Sequence, residues 1–299
     1  MNRRNFVKTI GLGAAAAAGF GAVERKLKIG HTCITWGTFP RFPEGSATLE
    51  PAVRDISTLG YWSFETFPEV LEDWDAKGAL SKLIDQYHLP LKSGYIGTTL
   101  TDSSKRKESV EKAIRLAKVI KKYGGTFAVL APNSVKRAEY NFKEYRANII
   151  DGLNEHAMAV ADLGLGTGLH QHTGTCIESR DEVYDVMESA NTKYLKFAPD
   201  VGQLQKGGAD AAKVVKDFLP LLKHMHLKDY SGGEHFAGYC PLGQGKVDLV
   251  QVLDLVESGG QQPNIMVELD SSKNQPLTAL ETATITKAYL VKLGYQFRF

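Results

Sequence analysis

The stretch "YLKFAPDVGQLQKGGADAAKVVKDFLPLLKHMHLKD", residues 194–229, decides how the chain is read. It opens on a short apolar run, 194–200, that closes on Asp200. A helix-like stretch follows at 209–219, and a second apolar run at 222–229 closes on His224, His226, Lys228 and Asp229. Strand, helix, strand in that order predicts two parallel strands joined by a right-handed crossover.

The same alternation continues outward. Upstream candidate strands are "LKIGHTCIT" (27–35), "YWSFETF" (61–67), "LPLKSGYIG" (89–97), "GTFAVLAP" (125–132) and "GTGLHQHTG" (166–174); downstream lies "NIMVELD" (264–270). Helical patterns run through 103–123, 142–163, 180–190 and 247–258. In the first of these Val110, Ile114, Ala117 and Ile120 recur at helical spacing, Ser103 or Ser104 is placed to cap, and Gly124-Gly125 to terminate. Eight strand-helix units with no linker between them predict a single-domain (β/α)8 TIM barrel over residues 25–299. A doubly wound open sheet is the alternative, disfavoured because no candidate strand runs into a Gly-x-Gly-x-x-Gly turn.

Composition narrows the function. The chain has 299 residues, 43% hydrophobic and 23% charged, with a formal net charge of +2 and no long basic run, which argues against nucleic acid or an anionic membrane as a main partner. Cys33, Cys176 and Cys240 are scattered and form no C-x-x-C pair, so three free thiols are expected. The first 24 residues, "MNRRNFVKTIGLGAAAAAGFGAVE", carry Arg3, Arg4, Phe6 and Lys8 ahead of a Gly/Ala-rich stretch. They resemble a twin-arginine export signal, which implies the export machinery as a partner and a periplasmic location. The apolar stretch is too short and Gly-rich for a stable membrane anchor.

Barrel active sites form at the C-terminal ends of the strands. Glu65 lies near the end of the second candidate strand, His170 and His172 at the fifth, Asp200 at the sixth, His224, His226 and Lys228 at the seventh, and Glu268 at the eighth. Imidazoles and carboxylates converging from four consecutive strands would make a mixed N/O site for one divalent ion, Mn²⁺, Co²⁺, Zn²⁺ or Mg²⁺. Singly, each has a plainer role: an Asp at a strand end caps the next helix, and a His in a strand is a satisfied core residue. Glu268 in "IMVELD" resists that reading, because a carboxylate buried among apolar neighbours demands a partner.

"FAPDVGQLQKGGAD", "HMHLKDY", "PLGQGKVDL" and "IMVELD", in that order, resemble the second half of the xylose-isomerase-like barrel superfamily, and "IGHTCITW" and "GYWSFETF" echo its first two strands. The resemblance implies one metal held by a carboxylate on strand 5, an Asp on strand 6, a His on strand 7 and a Glu on strand 8; the last three fall on Asp200, His226 and Glu268. Strand 5 departs, with His170 as fourth ligand and His172 as a substrate contact or rival ligand. The H-x-H-x-G-T form is similar to the inosose-dehydratase side of the family, and an imidazole in place of a carboxylate leaves the metal a stronger Lewis acid. Gln203 stands where the family has a further histidine, which argues against a multi-metal nuclease.

The chemistry implied is removal of a proton beside the carbonyl of a keto-sugar through a metal-stabilised enediolate, as in sugar isomerases and epimerases. Glu268, Lys228 and His172 are the candidate proton-transfer groups, with a neighbouring cation expected to lower the Lys228 pKa; its plainer role is a rim ion pair with Asp229. Glu65, Trp36, Trp62 and His31 are the candidate substrate contacts, with Tyr95, Phe39 and Phe67 as further aromatics for stacking or for the core. Two alternatives stay open: a lyase or dehydratase acting by β-elimination on an inosose or 3-keto-glycoside, and a periplasmic sugar-binding barrel without catalysis. A homo-oligomer is compatible with the sequence.

Overall fold

The computed structural model describes residues 25–271 and 275–299; the segment read as an export signal lies outside the described residues. Eight short parallel strands form the inner ring: β1 (Ile29–Thr32), β2 (Phe64–Thr66), β3 (Leu91–Gly97), β4 (Phe127–Ala131), β5 (Gly166–Leu169), β6 (Leu195–Phe197), β7 (His224–Leu227) and β8 (Asn264–Val267). Their hydrogen-bonded order is β6-β5-β4-β3-β2-β1-β8-β7. Parallel bridges Phe197–Leu222 and Asp200–His226 return β7 to β6, so the ring is nearly closed. An antiparallel ladder, Asp229–Tyr230 against Tyr239–Cys240, is inserted between β7 and β8. This is the single-domain TIM barrel that the strand-helix alternation predicts.

A helix follows each strand, and capping side chains fix where most begin. Ser179 and Glu182 form a reciprocal capping box for Arg180–Ser189, and Thr278 and Glu281 do the same for Ala279–Lys292. Asp210 and Asp248 cap Ala211–Asp217 and Leu249–Ser258. The helix expected from residue 103 departs in detail. Asp102, rather than a serine, accepts from the Ser104 N–H and caps a 3₁₀ turn, Ser103–Lys105, and the α-helix proper is Arg106–Lys122. Gly124, at φ +83°, ends it.

The main apolar core lies between the strand ring and the helices. All three cysteines are free and buried. Inside the ring the apolar packing is thin: Phe127, Val129 and Ala198 with Tyr95. Barrel interiors are ordinarily filled with branched aliphatics. Here buried Glu65, Ser93, His170, His224 and His226 share that space, so the lumen carries a polar cluster. Among the described residues no helix is long and apolar enough to cross a membrane.

Asp229 organises the loop that leaves β7. It is buried, and its carboxylate accepts four backbone N–H bonds, from Tyr230, Gly243, Gly245 and Val247, at 2.9, 3.0, 2.9 and 3.2 Å. It therefore makes no rim pair with Lys228. A Cβ on Gly245 would stand 2.1 Å from Asp229 Oδ1, so only glycine lets the chain pass there. Asp229→Ala strands four donors in a buried turn, at a cost of roughly 3 kcal/mol or more. Thermal melts should show Tm lowered by about 6–12 °C; an unchanged melt would contradict this anchoring role.

Candidate active site and metal centre

Strand parity assembles the site. On β7 and the residue after it, His224, His226 and Lys228 share one face and are fully buried. Beyond β8 the same parity brings in Glu268 and Asp270. Asp200 follows β6 and His170 follows β5. Asp200 takes the plainer of its two expected roles with one oxygen and pairs with a lysine through the other: Oδ1 accepts from Gln203 N at 2.9 Å and caps the helix Val201–Lys206, while Oδ2 lies 2.9 Å from Lys228 Nζ.

His170 Nδ1 lies 3.2 Å from the Ala198 carbonyl oxygen, and its Nε2 is buried without a partner. With the proton on Nδ1, a lone pair is left on Nε2. Burial and the neighbouring His226 push its pKa well down, so this ring is neutral. His226 is held from both sides, Nε2 at 2.6 Å from Glu65 Oε1 and Nδ1 at 3.2 Å from Glu268 Oε2. One ligand-type atom from each of His170, Asp200 and His226 lies within 4.8 Å of the others, all three residues buried. A divalent cation fits this group: it supplies two imidazole nitrogens and a carboxylate oxygen, with an orphaned buried nitrogen on His170. Glu268, the fourth expected ligand, is not part of that group; its Oε2 lies 3.2 Å from His226 Nδ1 and its Oε1 2.6 Å from Lys228 Nζ.

Lys228 differs from expectation. Its Nζ lies 2.9 Å from Asp200 Oδ2, 2.6 Å from Glu268 Oε1 and 3.2 Å from Asp270 Oδ1, and its side chain has no solvent exposure. Burial opposes its charge, but Asp200, Asp270 and Glu268 raise its pKa well above the ordinary lysine value. It is an ammonium that ties three carboxylates together. Burial likewise opposes ionisation of Glu268, yet His226 and Lys228 hold that carboxyl well below its usual range.

A cavity of about 370 Å³ opens above this cluster. Glu65, Glu268 and Asp270 line it together with His172, which follows β5, and Phe39, Phe67 and Tyr95 form an edge-to-face row in its wall, with centroids 4.7 and 5.2 Å apart. His172 Nδ1 lies 2.7 Å from the Thr173 carbonyl oxygen and its Nε2 lies 2.7 Å from the Gln203 amide nitrogen. Gln203 Oε1 accepts from Thr173 Oγ1 and N, which turns the amide donor toward the ring. His172 is thereby set as the Nδ1–H tautomer, apart from the His170–Asp200–His226 group.

Three expected substrate contacts stand elsewhere. Trp62 precedes β2, at the N-terminal end of the barrel, donating to the Gln296 carbonyl oxygen with Lys28 over its ring at 4.5 Å. His31 is on β1 beside Thr32, and it is Thr32 that lines the cavity; His31 packs edge-on to Trp36 and Tyr61. Burial lowers its pKa to about 4. Trp36 donates to Asp55 Oδ2 and lines a separate shallow groove. Glu65 reaches the cavity wall, but both carboxylate oxygens are engaged inward. Two residues escaped the sequence reading. Asp270 was legible as the i+2 neighbour of Glu268; Tyr239, whose ring centroid lies 4.7 Å from Lys228 Nζ, comes from a loop with no periodic signal.

Comparison with known proteins agrees with this architecture. The family described as xylose isomerase-like TIM barrel matches residues 53–289. Inosose dehydratase of Clostridium botulinum (strain Alaska E43 / Type E3) is 23% identical over 276 residues, covering 82% of this chain and 90% of that protein. Among solved structures, 3-keto-D-glucoside 4-epimerase from E. coli superposes with a TM-score of 0.67 at 16% identity, covering 90% of this chain and 99% of that one. The IOLI protein with a binding zinc atom gives 0.70 at 17% identity, covering 89% and 98%.

The geometry predicts one divalent ion per chain, lost from His170→Ala, Asp200→Ala, His226→Ala and Glu268→Ala; full occupancy in all four would refute the assignment. Binding also releases a proton. Burial opposes charge on His226, but Glu268 and Glu65 hold its pKa well above the ordinary histidine value, so the ring is protonated before the ion arrives. Affinity should therefore rise with pH through neutrality, with proton release measurable by calorimetry in buffers of different ionisation enthalpy.

Proposed function

Because the chain belongs to the xylose isomerase-like TIM barrel family, we propose that it is a divalent-metal-dependent enzyme that removes the proton beside the carbonyl of an uncharged keto-sugar. Elimination of a β-substituent is the outcome the site supports best, on an inosose or a 3-keto-glycoside. The observation that carries the reading is the buried group of His170, Asp200 and His226 beneath a cavity that His172 lines.

A cation held by His170, Asp200, His226 and Glu268 supplies Lewis acidity for the negative charge that develops on the carbonyl oxygen. The remaining work belongs to side chains. The His172 lone pair is on the nitrogen that now accepts from Gln203; substrate displaces that amide and His172 takes the proton from carbon. The imidazolium so formed returns the proton to the departing hydroxyl or alkoxide, leaving an enone and a neutral water or alcohol. Phe39, Phe67 and Tyr95 offer faces for the sugar C–H groups opposite.

Charge in the cavity wall supports an uncharged substrate. Lys112 at the wall pairs with Glu69 at 2.9 Å, and Lys228 is spent on three carboxylates. Among the described residues no unpaired lysine meets the cavity. The export segment, read from sequence alone, is consistent with a substrate met outside the cytoplasm. A second reading, isomerisation or epimerisation, returns the proton to carbon; Glu268 and His172 reach the cavity from different strands and would act as the two bases.

A keto-sugar panel tests this. Elimination creates an enone absorbing in the ultraviolet, whereas proton return in deuterated water labels one carbon without an absorbance change. His172→Ala should slow turnover by about 10²–10⁴-fold with metal content unchanged. Turnover of no keto-sugar by the metal-loaded chain would leave a binding barrel, and tighter binding of phosphorylated sugars would contradict the charge argument.

A further inference from the structure

Glu65 sits where a barrel interior is normally aliphatic, and burying a carboxylate there is costly unless every oxygen is used. Both are. Oε1 lies 2.6 Å from His226 Nε2; Oε2 accepts from Ser93 Oγ at 2.5 Å and lies 3.1 Å from His224 Nε2. The four side chains come from β2, β3 and β7 and are buried. The His224 ring is itself fixed, stacked on Phe127 at 5.2 Å with 8° between planes.

The geometry points to Glu65 as a positioning residue for the metal site, a role that rests on the cation reading above. An imidazole can coordinate through Nδ1 only when its remaining proton is on Nε2. Glu65 Oε1 stands where it accepts that proton's hydrogen bond, which turns the Nδ1 lone pair toward Glu268, His170 and Asp200. The Ser93 hydroxyl, donating to Oε2, holds the carboxylate turned away from the cavity, and His224 packs beside it. The pair is a carboxylate–histidine arm behind the ion: it selects the coordinating nitrogen, fixes the ring plane and makes the imidazole a better donor. Glu65 therefore acts on the cation through His226 and not on the sugar.

Titration of the full chain with Co²⁺ tests this, reading the dissociation constant and the visible spectrum of the bound ion. Glu65→Gln should bind one ion about 10–100-fold more weakly, with a shifted spectrum. Ser93→Ala, which removes only one support of the carboxylate and keeps the fold if Glu65→Gln does not, should weaken binding by a smaller factor in the same direction. Unchanged affinity and spectrum in both variants overturns the positioning role while leaving the metal site standing. Two ions in the wild type, one of them lost in His224→Ala, overturns it differently, by making Glu65, His224 and His226 a second cation site. A wild-type chain that binds no Co²⁺ overturns the cation reading and this one together.

Discussion

The organising constraint is charge confined to a place that water does not reach. Glu65, Asp200, Glu268 and Lys228 are all buried at or just above the centre of the strand ring, with His226 between two of the carboxylates. An isolated ion in such surroundings would be neutralised or expelled. What makes the arrangement sustainable is that almost every charged atom meets a partner of opposite sign or a hydrogen-bond donor within about 3 Å. The strands are short and the apolar packing inside the ring is thin, so the barrel wall is held mainly from outside, by the helices, and the interior is free to carry polar groups.

How much of this was legible in the sequence follows from parity and from the end of the strand. The fold was readable because eight apolar runs alternate with helical patterns, and helix boundaries because the capping residues are local. On β7 and β8 the polar residues recur every second position and sit at or past the last apolar residue; both signals point inward and toward the mouth, so His226 and Glu268 were found, and Asp270 was overlooked by one step of the same rule. The misplacements have the same origin. His31 is one residue out of phase with Thr32, and Trp62 stands at the entrance of β2 instead of its exit. Neither fact can be read from aromatic or imidazole content.

Environment was less legible than position. Lys228 looked like a base because it neighbours a presumed cation, but three carboxylates from β6 and β8 surround it, and these are separated from it by 28, 40 and 42 positions in the chain. Glu65 reads as a substrate contact because it lies near the end of a strand at the mouth; its inward partners on β3 and β7 are invisible to local pattern. Gln203, conspicuous only as a departure from the family form, acquires a role once its amide is seen against His172. Long-range pairing is the part of a site that a single sequence conceals.

The ammonium of Lys228 between Asp200 and Glu268 has one more consequence. A pocket that gathers acidic groups to grip a cation would, when vacant, tend to be forced open by their mutual repulsion. Here a tethered positive charge occupies the same company and offsets part of that repulsion. The ion proposed above would enter a group of carboxylates that the lysine already holds together.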